Sequence, residues 1–357
     1  MIILVLFLGG NLKTTLEILS LTFDTSLSYC ENIRDMIIEG TKKIELDFRK
    51  LGTIEPFGIV YFSNFVKTFS RLRDIELSCI YHDNEGISYA KHMGLFQNCG
   101  FDIGKPPREE FPTKEASHIP ITIVDVENLR QEARDTYEQV GQIVENYSER
   151  LAKLLTSQKD TTLVDTLTFC FREIIRNVVE HSQAPKITFC AQYWPYLKKA
   201  EIVVLDRGQG IRNSLNENST LPDIETDKDA LNFALLPSIS SKVAYGKKQK
   251  RKSDDFWKNS GFGLYMTHRI AGMGGDFFIA SGKHGLQWIK DEKKDHKVRL
   301  KGTILRMVIQ TDNISELQET LGKFRTDGFA LAQELTKMEI EPSTASLMLS
   351  KHRSKVS

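Results

Sequence analysis

Three short stretches of this chain carry residues whose types and spacing could do chemistry. In the first, Phe171 to Ser182, Glu173 and Asn177 stand four residues apart. A helix would present them one turn apart on a common face. A carboxylate beside a neutral amide oxygen can hold a hard divalent cation and take a proton from water. Read alone, the pair also fits a solvated polar face opposite an apolar stripe of Ile174, Ile175, Val178 and Val179. In the second stretch, Asp206-Arg207-Gly208-Gln209-Gly210 follows the apolar run Val203-Val204-Leu205. A carboxylate at a strand end can accept a hydrogen bond from an exocyclic amine, and the glycines allow close backbone approach to a ligand. The third, Ser260-Gly261-Phe262-Gly263-Leu264, precedes a helical pattern through Met266, Ile270 and Met273. Glycines that open a helix present free N–H groups and the positive end of its dipole to phosphate. Gly302-Thr303 then precedes another apolar run, Ile304 to Ile309.

Each motif is weak alone, and the four in order are more specific. Together they resemble the GHKL, or Bergerat-fold, ATP-binding family over residues 159–311. That family includes gyrase-type topoisomerases, ninety-kilodalton chaperones, histidine kinases, mismatch-repair ATPases and anti-sigma serine kinases. The resemblance implies a two-layer α/β domain that binds ATP with Mg2+. Glu173 would be the carboxylate that activates water, and Asn177 the magnesium ligand. Asp206 would read the adenine amine with Thr303 supporting it. Gly208 and Gly210 would pass under the base, and Gly261, Phe262, Gly263 and Leu264 would cradle the phosphates. Residues 211–260 correspond to the family's lid, in which Lys242 is a candidate phosphate contact. His181, after the N-box helix, reads as structural.

These motifs need elements to position them. Residues 1–125 alternate apolar strand-like and helical patterns, which predicts a small α/β domain. Strands are expected over Leu16 to Phe23, Lys43 to Phe48 and Ile75 to Tyr81, and helices over Ser26 to Glu39, Gly58 to Phe69 and Gly86 to Cys99. Ile44-Glu45-Leu46-Asp47-Phe48, the turn Ile54-Glu55-Pro56-Phe57-Gly58 and the stretch Ala90 to Phe101 resemble a STAS-like domain, the fold of anti-anti-sigma factors. Pro56 and Phe57 stand where regulatory members carry a phosphorylatable serine, so no phosphorylation switch is expected. A docking or dimerisation role for a protein partner is. Pro106, Pro107, Pro112 and Pro120 mark a linker. Residues 126–158 predict one connecting amphipathic helix, with Leu129, Ala133, Tyr137, Val140, Val144, Tyr147, Leu151 and Leu154 in a narrow stripe. A homodimer seam, a lever between domains and simple packing along the ATP domain all fit that stripe. Residues 312–357 read as a helical tail that frays.

The formal net charge of +1 marks neither a nucleic-acid binder nor a membrane-surface protein. The five cysteines lack a Cys-x-x-Cys pair, which argues against a zinc site or disulfide framework and fits a reducing cytoplasm. Met1 to Leu8 is too short to span a bilayer and reads as a buried strand. The basic run 247–252 lacks interleaved aromatics and reads as a solvated lid tip. The mixed-charge stretch 290–301 reads as a hairpin connection.

The readings of function are therefore an ATP-hydrolysing switch, a serine kinase acting on a separate protein, and an ATP-sensing scaffold. An autophosphorylating histidine kinase is disfavoured, because the 127–155 helix holds no histidine.

Overall fold

The computed structural model describes residues 3–8, 11–112, 117–136, 139–156, 161–241, 261–290, 292–313, 322–324, 326–328, 330 and 331. Lys242, the basic run 247–252 and most of 312–357 lie outside the described residues. The architecture is mixed α/β with two sheets. The first holds β1 (Ile3–Leu8), β2 (Asn11–Glu17), β3 (Lys43–Asp47) and β4 (Glu76–Ile80) in that order. The pair β1–β2 is antiparallel, and β2, β3 and β4 run parallel. Their crossovers are α1 (Phe23–Ile38) and α2 (Pro56–Arg73), and α3 (Glu85–Met93) and α4 (Leu95–Cys99) follow β4. The second sheet is antiparallel throughout and has the order β5-β6-β7-β9-β8. Its strands are β5 (His118–Asp125), β6 (Lys186–Trp194), β7 (Lys199–Asp206), β8 (Asp276–Ile289) and β9 (Glu292–Gln310). Its helices are α5 (Val126–Asp135), α6 (Val140–Thr156), α7 (Thr161–Asn177), α8 (Ile211–Asn216), α9 (Asp227–Ala234) and α10 (Gly263–Gly272).

The second sheet is covered on both faces, and its strands read accordingly. Successive side chains alternate in direction. Ile202 and Val204 of β7 join the helical core with Ile174, Ile175, Leu151 and Ile270. Val203 and Leu205, their neighbours, join the core of the N-terminal unit with Phe57, Phe62 and Leu16. The same split places Phe277 and Ile279 of β8 on one side and Phe278 and Ala280 on the other. This is why the run before Asp206 is continuously apolar rather than alternating. Helix α2 lies against β6, β7 and β9. Its first turn is tied to β7: the Phe57 N–H donates to Glu201 Oε1 at 3.0 Å, and Arg306 Nε donates to the same oxygen at 3.1 Å. Lys199 Nζ pairs with Glu55 at 2.9 Å beside them.

Several expectations differ from the structure. The 127–155 stripe is divided between α5 and α6, with Thr136 closing the first and Gly141 in the first turn of the second. Both helices bury their stripes in one core with α7, so the apolar face is taken up within the chain. The boundary at 125 follows a strand that belongs to the second sheet, because β5 pairs with β6 from Asp125↔Lys186 to His118↔Gln192. The residues 54–58 do not form a turn. Pro56 begins α2, where its missing N–H costs nothing. The charged stretch 292–301 is strand: β9 pairs with β8 almost to the hairpin tip at Lys290, with solvated side chains outward and Val298 inward.

Strand β2 also ends earlier than the 16–23 pattern suggests. The Thr22 N–H donates to Thr25 Oγ1 at 2.9 Å, which starts α1 at Phe23. No described helix is long and apolar enough to cross a membrane.

Candidate functional site

Helix α7 presents Glu173 and Asn177 and then changes pitch, continuing as a five-residue π-turn over Val178–Ser182. Such turns recur where a helix is bent to place side chains. Here Ser182 Oγ donates to the Val178 carbonyl at 2.7 Å and accepts from the Ala184 N–H at 3.0 Å. The Ser182 carbonyl accepts from the Gln209 N–H at 2.8 Å, which holds the loop after β7 against the end of α7. Gly208 sits in that junction. A Cβ there would stand 1.9 Å from the Ser182 carbonyl oxygen, so only glycine fits.

The result is a cleft between α7, the sheet, α8 and the start of α10. It encloses about 820 Å³ of atom-free space, its open mouth included. Asn177, Asp206, Gly210, Gly261, Gly263, Leu264 and Thr303 all line it. Its apolar walls come from Ile174, Val204, Ile211, Leu215, Ile279 and Leu305. Three expected residues stand elsewhere, and a fourth is not among the described residues. Gly208, within the loop after β7, packs against the π-turn and does not line the cleft. Phe262 is core: its ring is 1% exposed and packs edge-on to Tyr265 at 6.3 Å. Lys242 is outside the described residues. Glu173 is set back from the cleft lining.

Asp206 lies at the cleft floor, 4% exposed. Its Oδ1 accepts from the Gly208 N–H at 2.8 Å, and the carboxylate also accepts from Thr303, its antiparallel partner on β9. Burial raises its pKa from 3.8 to about 6, against the opposing pull of those hydrogen bonds. A carboxyl raised in this way is bound to its proton more tightly in the folded chain than in the unfolded one. Its contribution to stability is therefore full below about pH 4 and is lost as pH rises through about 6. Thermal melts between those limits should show a falling slope that Asp206→Asn lacks. Equal slopes in the two proteins would mean that another group titrates there.

Asn177 shows a different feature. Its Nδ2 is buried and has no hydrogen-bond partner. A buried amide left in that state loses its hydration without a protein bond in return. The amide's nitrogen and oxygen exchange places by rotation, so the site offers either a donor or an oxygen ligand to a bound molecule. This fits a hard cation that brings most of its own ligands. Among the described residues no three His, Cys, Asp or Glu side chains converge as a metal site.

Glu173 is 8% exposed and has a fixed setting. Its Oε1 accepts from Arg172 Nε at 2.9 Å, and Arg172 also reaches Glu145 of α6 at 3.2 Å. On the other side Glu173 Oε2 meets the start of α10, where a Cβ on Gly263 would come within 2.3 Å of it. A side chain at the second glycine of that motif would therefore displace the Glu173 carboxylate. Helix α10 begins at Gly263 with Phe262 as its cap, so its first N–H groups open beside Gly261 and Leu264 at the cleft rim.

Several residues that line or brace the cleft had no signal in spacing alone. Ser281 Oγ accepts from the Ile211 N–H at 3.0 Å and donates to the Gly302 carbonyl at 2.9 Å, bracing the start of α8 against β9. Ser240 and Ser241 line the cleft, and Ser241 Oγ pairs with His181 Nδ1 at 2.9 Å. That bond joins the segment after α9 to the π-turn. The two partners are sixty residues apart in sequence.

No family model matches the sequence, and no curated protein matches it.

Proposed function

We propose that the cleft binds an adenine nucleotide with magnesium, and that the chain is a GHKL-like regulatory switch with slow or partner-stimulated ATP hydrolysis. The observation that carries this reading is the buried Asp206 carboxylate at the floor of an apolar cleft whose other end holds the unpartnered Asn177 amide and the opening of α10. Apolar walls suit a purine ring, and a buried acceptor selects a base with an exocyclic amine. The N–H groups at the start of α10 suit phosphate. Asn177 is the ligand this chain offers to magnesium, whose charge would screen the phosphates. The N-terminal unit, STAS-like in this reading, would carry the response to a protein partner.

Hydrolysis needs a base, and Glu173 is the nearest carboxylate on the α7 face that bears Asn177. Its carboxylate is held in an ion pair by Arg172, faces the start of α10 and stands back from the cleft lining. That is the physical reason to expect slow turnover in the isolated protein. The same ion pair favours a second reading, a nucleotide sensor with no turnover.

Phosphate release from magnesium-ATP, followed beside radiolabel retained on the protein, separates the two. Glu173→Ala is expected to keep nucleotide affinity and to lower release by about 100-fold or more. Release that persists in the variant removes Glu173 as the base. Tight binding with neither release nor label in the unaltered protein supports the sensor.

A further inference from the structure

We propose that the groove beside the last turns of α2 docks an acidic, amphipathic segment of a partner protein. The groove lies on the far side of the Gly208–Gly210 loop from the cleft, between α2 and the bend of the β8–β9 hairpin. It encloses about 1210 Å³ of atom-free space, its open face included. Its apolar side is formed by Phe69 and Leu72. Leu72 is 73% exposed, a large aliphatic side chain that the fold leaves in water. A single exposed leucine means little, but this one stands beside a concentrated charge.

Four cations line the same groove: Arg212, Lys283, Arg299 and Lys301. Asp227 is the one acid among the lining residues, and it is already engaged. Its carboxylate accepts from the Lys283 backbone N–H at 2.9 Å and pairs with Arg212 at 3.5 Å. Lys283, Arg299 and Lys301 have no acidic side-chain partner among the described residues. The positive field continues along α2. Burial lowers the Lys67 pKa, and the neighbouring Arg71 and Arg207 lower it further. Like charges crowded against an apolar strip are repulsive as they stand and are relieved by an acidic occupant.

The chemistry of the occupant follows from both features. Carboxylates would meet Lys283, Arg299 and Lys301, and a leucine- or isoleucine-sized side chain would cover Leu72 and Phe69. An amphipathic helix supplies both on opposite faces. A nucleic acid would supply the charge but needs open aromatic faces for its bases. Phe69 is the one aromatic ring in the lining, and one of its faces is taken by Phe65, stacked at 4.1 Å. The chain's own run 247–252 has the wrong sign. The inference stands whether or not the cleft binds nucleotide, although Gly210 lines both cavities.

The probe is a fluorescein-labelled peptide of about 16 residues, long enough for four helical turns, with glutamates on one face and leucines on the other. Its anisotropy is titrated with the full chain at low salt. Saturable binding is expected, weakened about 30-fold by the combined Lys283→Glu, Arg299→Glu and Lys301→Glu changes. Leu72→Asp alone should weaken it about 10-fold by removing apolar burial and adding a repelling charge. Lys42→Glu, outside the groove, should leave it unchanged. All the replaced side chains are exposed, so thermal melts should match the unaltered protein. Absence of peptide binding overturns the proposal, as does binding that the groove variants leave intact. Displacement of the peptide by a single-stranded oligonucleotide that binds more tightly assigns the groove to nucleic acid. Self-association of the unaltered protein that the groove variants abolish assigns it to a second copy of the chain.

Discussion

Replacing Asp206 with asparagine is expected to weaken adenine-nucleotide binding by roughly 100-fold or more, the equivalent of one lost charge-assisted hydrogen bond of about 3 kcal/mol. The two side chains have the same shape, so the effect comes from donors and acceptors. Asp206 accepts from the Gly208 N–H and from Thr303, and both groups remain in the variant. An asparagine can turn its oxygen toward only one side. Its NH2 then faces either Thr303 and the base or the Gly208 N–H, and donor meets donor. The cost to the fold is expected to be small, because the misplaced donor is offset by removal of a buried carboxylate whose charged form is disfavoured. At neutral pH the variant is expected to melt close to the temperature of the unaltered protein. Calorimetric titration with ATP checks the first expectation, and a thermal melt checks the second. Nucleotide affinity that survives in a folded variant would remove Asp206 as the reader of the base. A loss of affinity together with a lower melting temperature would mean that Asp206 acts through the fold.

Removing Arg172 is expected to have the largest effect on stability, about 3–5 kcal/mol for Arg172→Ala. Arg172 is 2% exposed and stands between Glu173 and Glu145, at 2.9 and 3.2 Å. Its guanidinium also lies over the Phe169 ring, 4.9 Å from the centroid. Burial opposes the charge, and the two carboxylates outweigh it and raise the guanidinium pKa. Truncation leaves both carboxylates shielded from water with no cation between them. Urea unfolding measures the loss. Combining Arg172→Met with Glu173→Gln should recover part of it, because the neutral pair needs no counter-charge. Recovery that is absent, or a single variant within about 0.5 kcal/mol of the unaltered protein, would mean that the ion pair carries little of the stability. The same residue joins α6 to the face of α7 that bears Glu173, so a shift of α6 would also change the setting of that carboxylate.

What the sequence by itself determined is local. The apolar period of α7, the strand before Asp206 and the helix after Gly263 follow from residue types within one window, and each element is present. Asn177, Asp206, Gly261, Gly263 and Thr303 meet in one cleft, the first four at or beside element ends and Thr303 within β9 opposite Asp206. Where a boundary depended on a residue outside the window, the pattern misled. A stripe over 127–155 has the same period whether the helix is whole or folded in two, and only packing against α7 distinguishes them. A charged stretch such as 292–301 carries no mark of the strand it pairs with.

What only the tertiary structure decided is pairing across the chain. The N-terminal unit shares a core with one face of the second sheet, which no period in residues 1–125 could state. Glu201, 0% exposed, reads in sequence as a polar interruption of β7. In the fold it accepts from the first turn of α2 and from Arg306, more than one hundred residues away on either side. Glu173 was legible as a carboxylate on the right face. That Arg172 and Gly263 would enclose it was not, since ion pairing depends on distance in space and the α10 residue lies ninety positions later. Periodicity records which way a side chain faces relative to its own backbone, and the identity of what it meets is set by the fold.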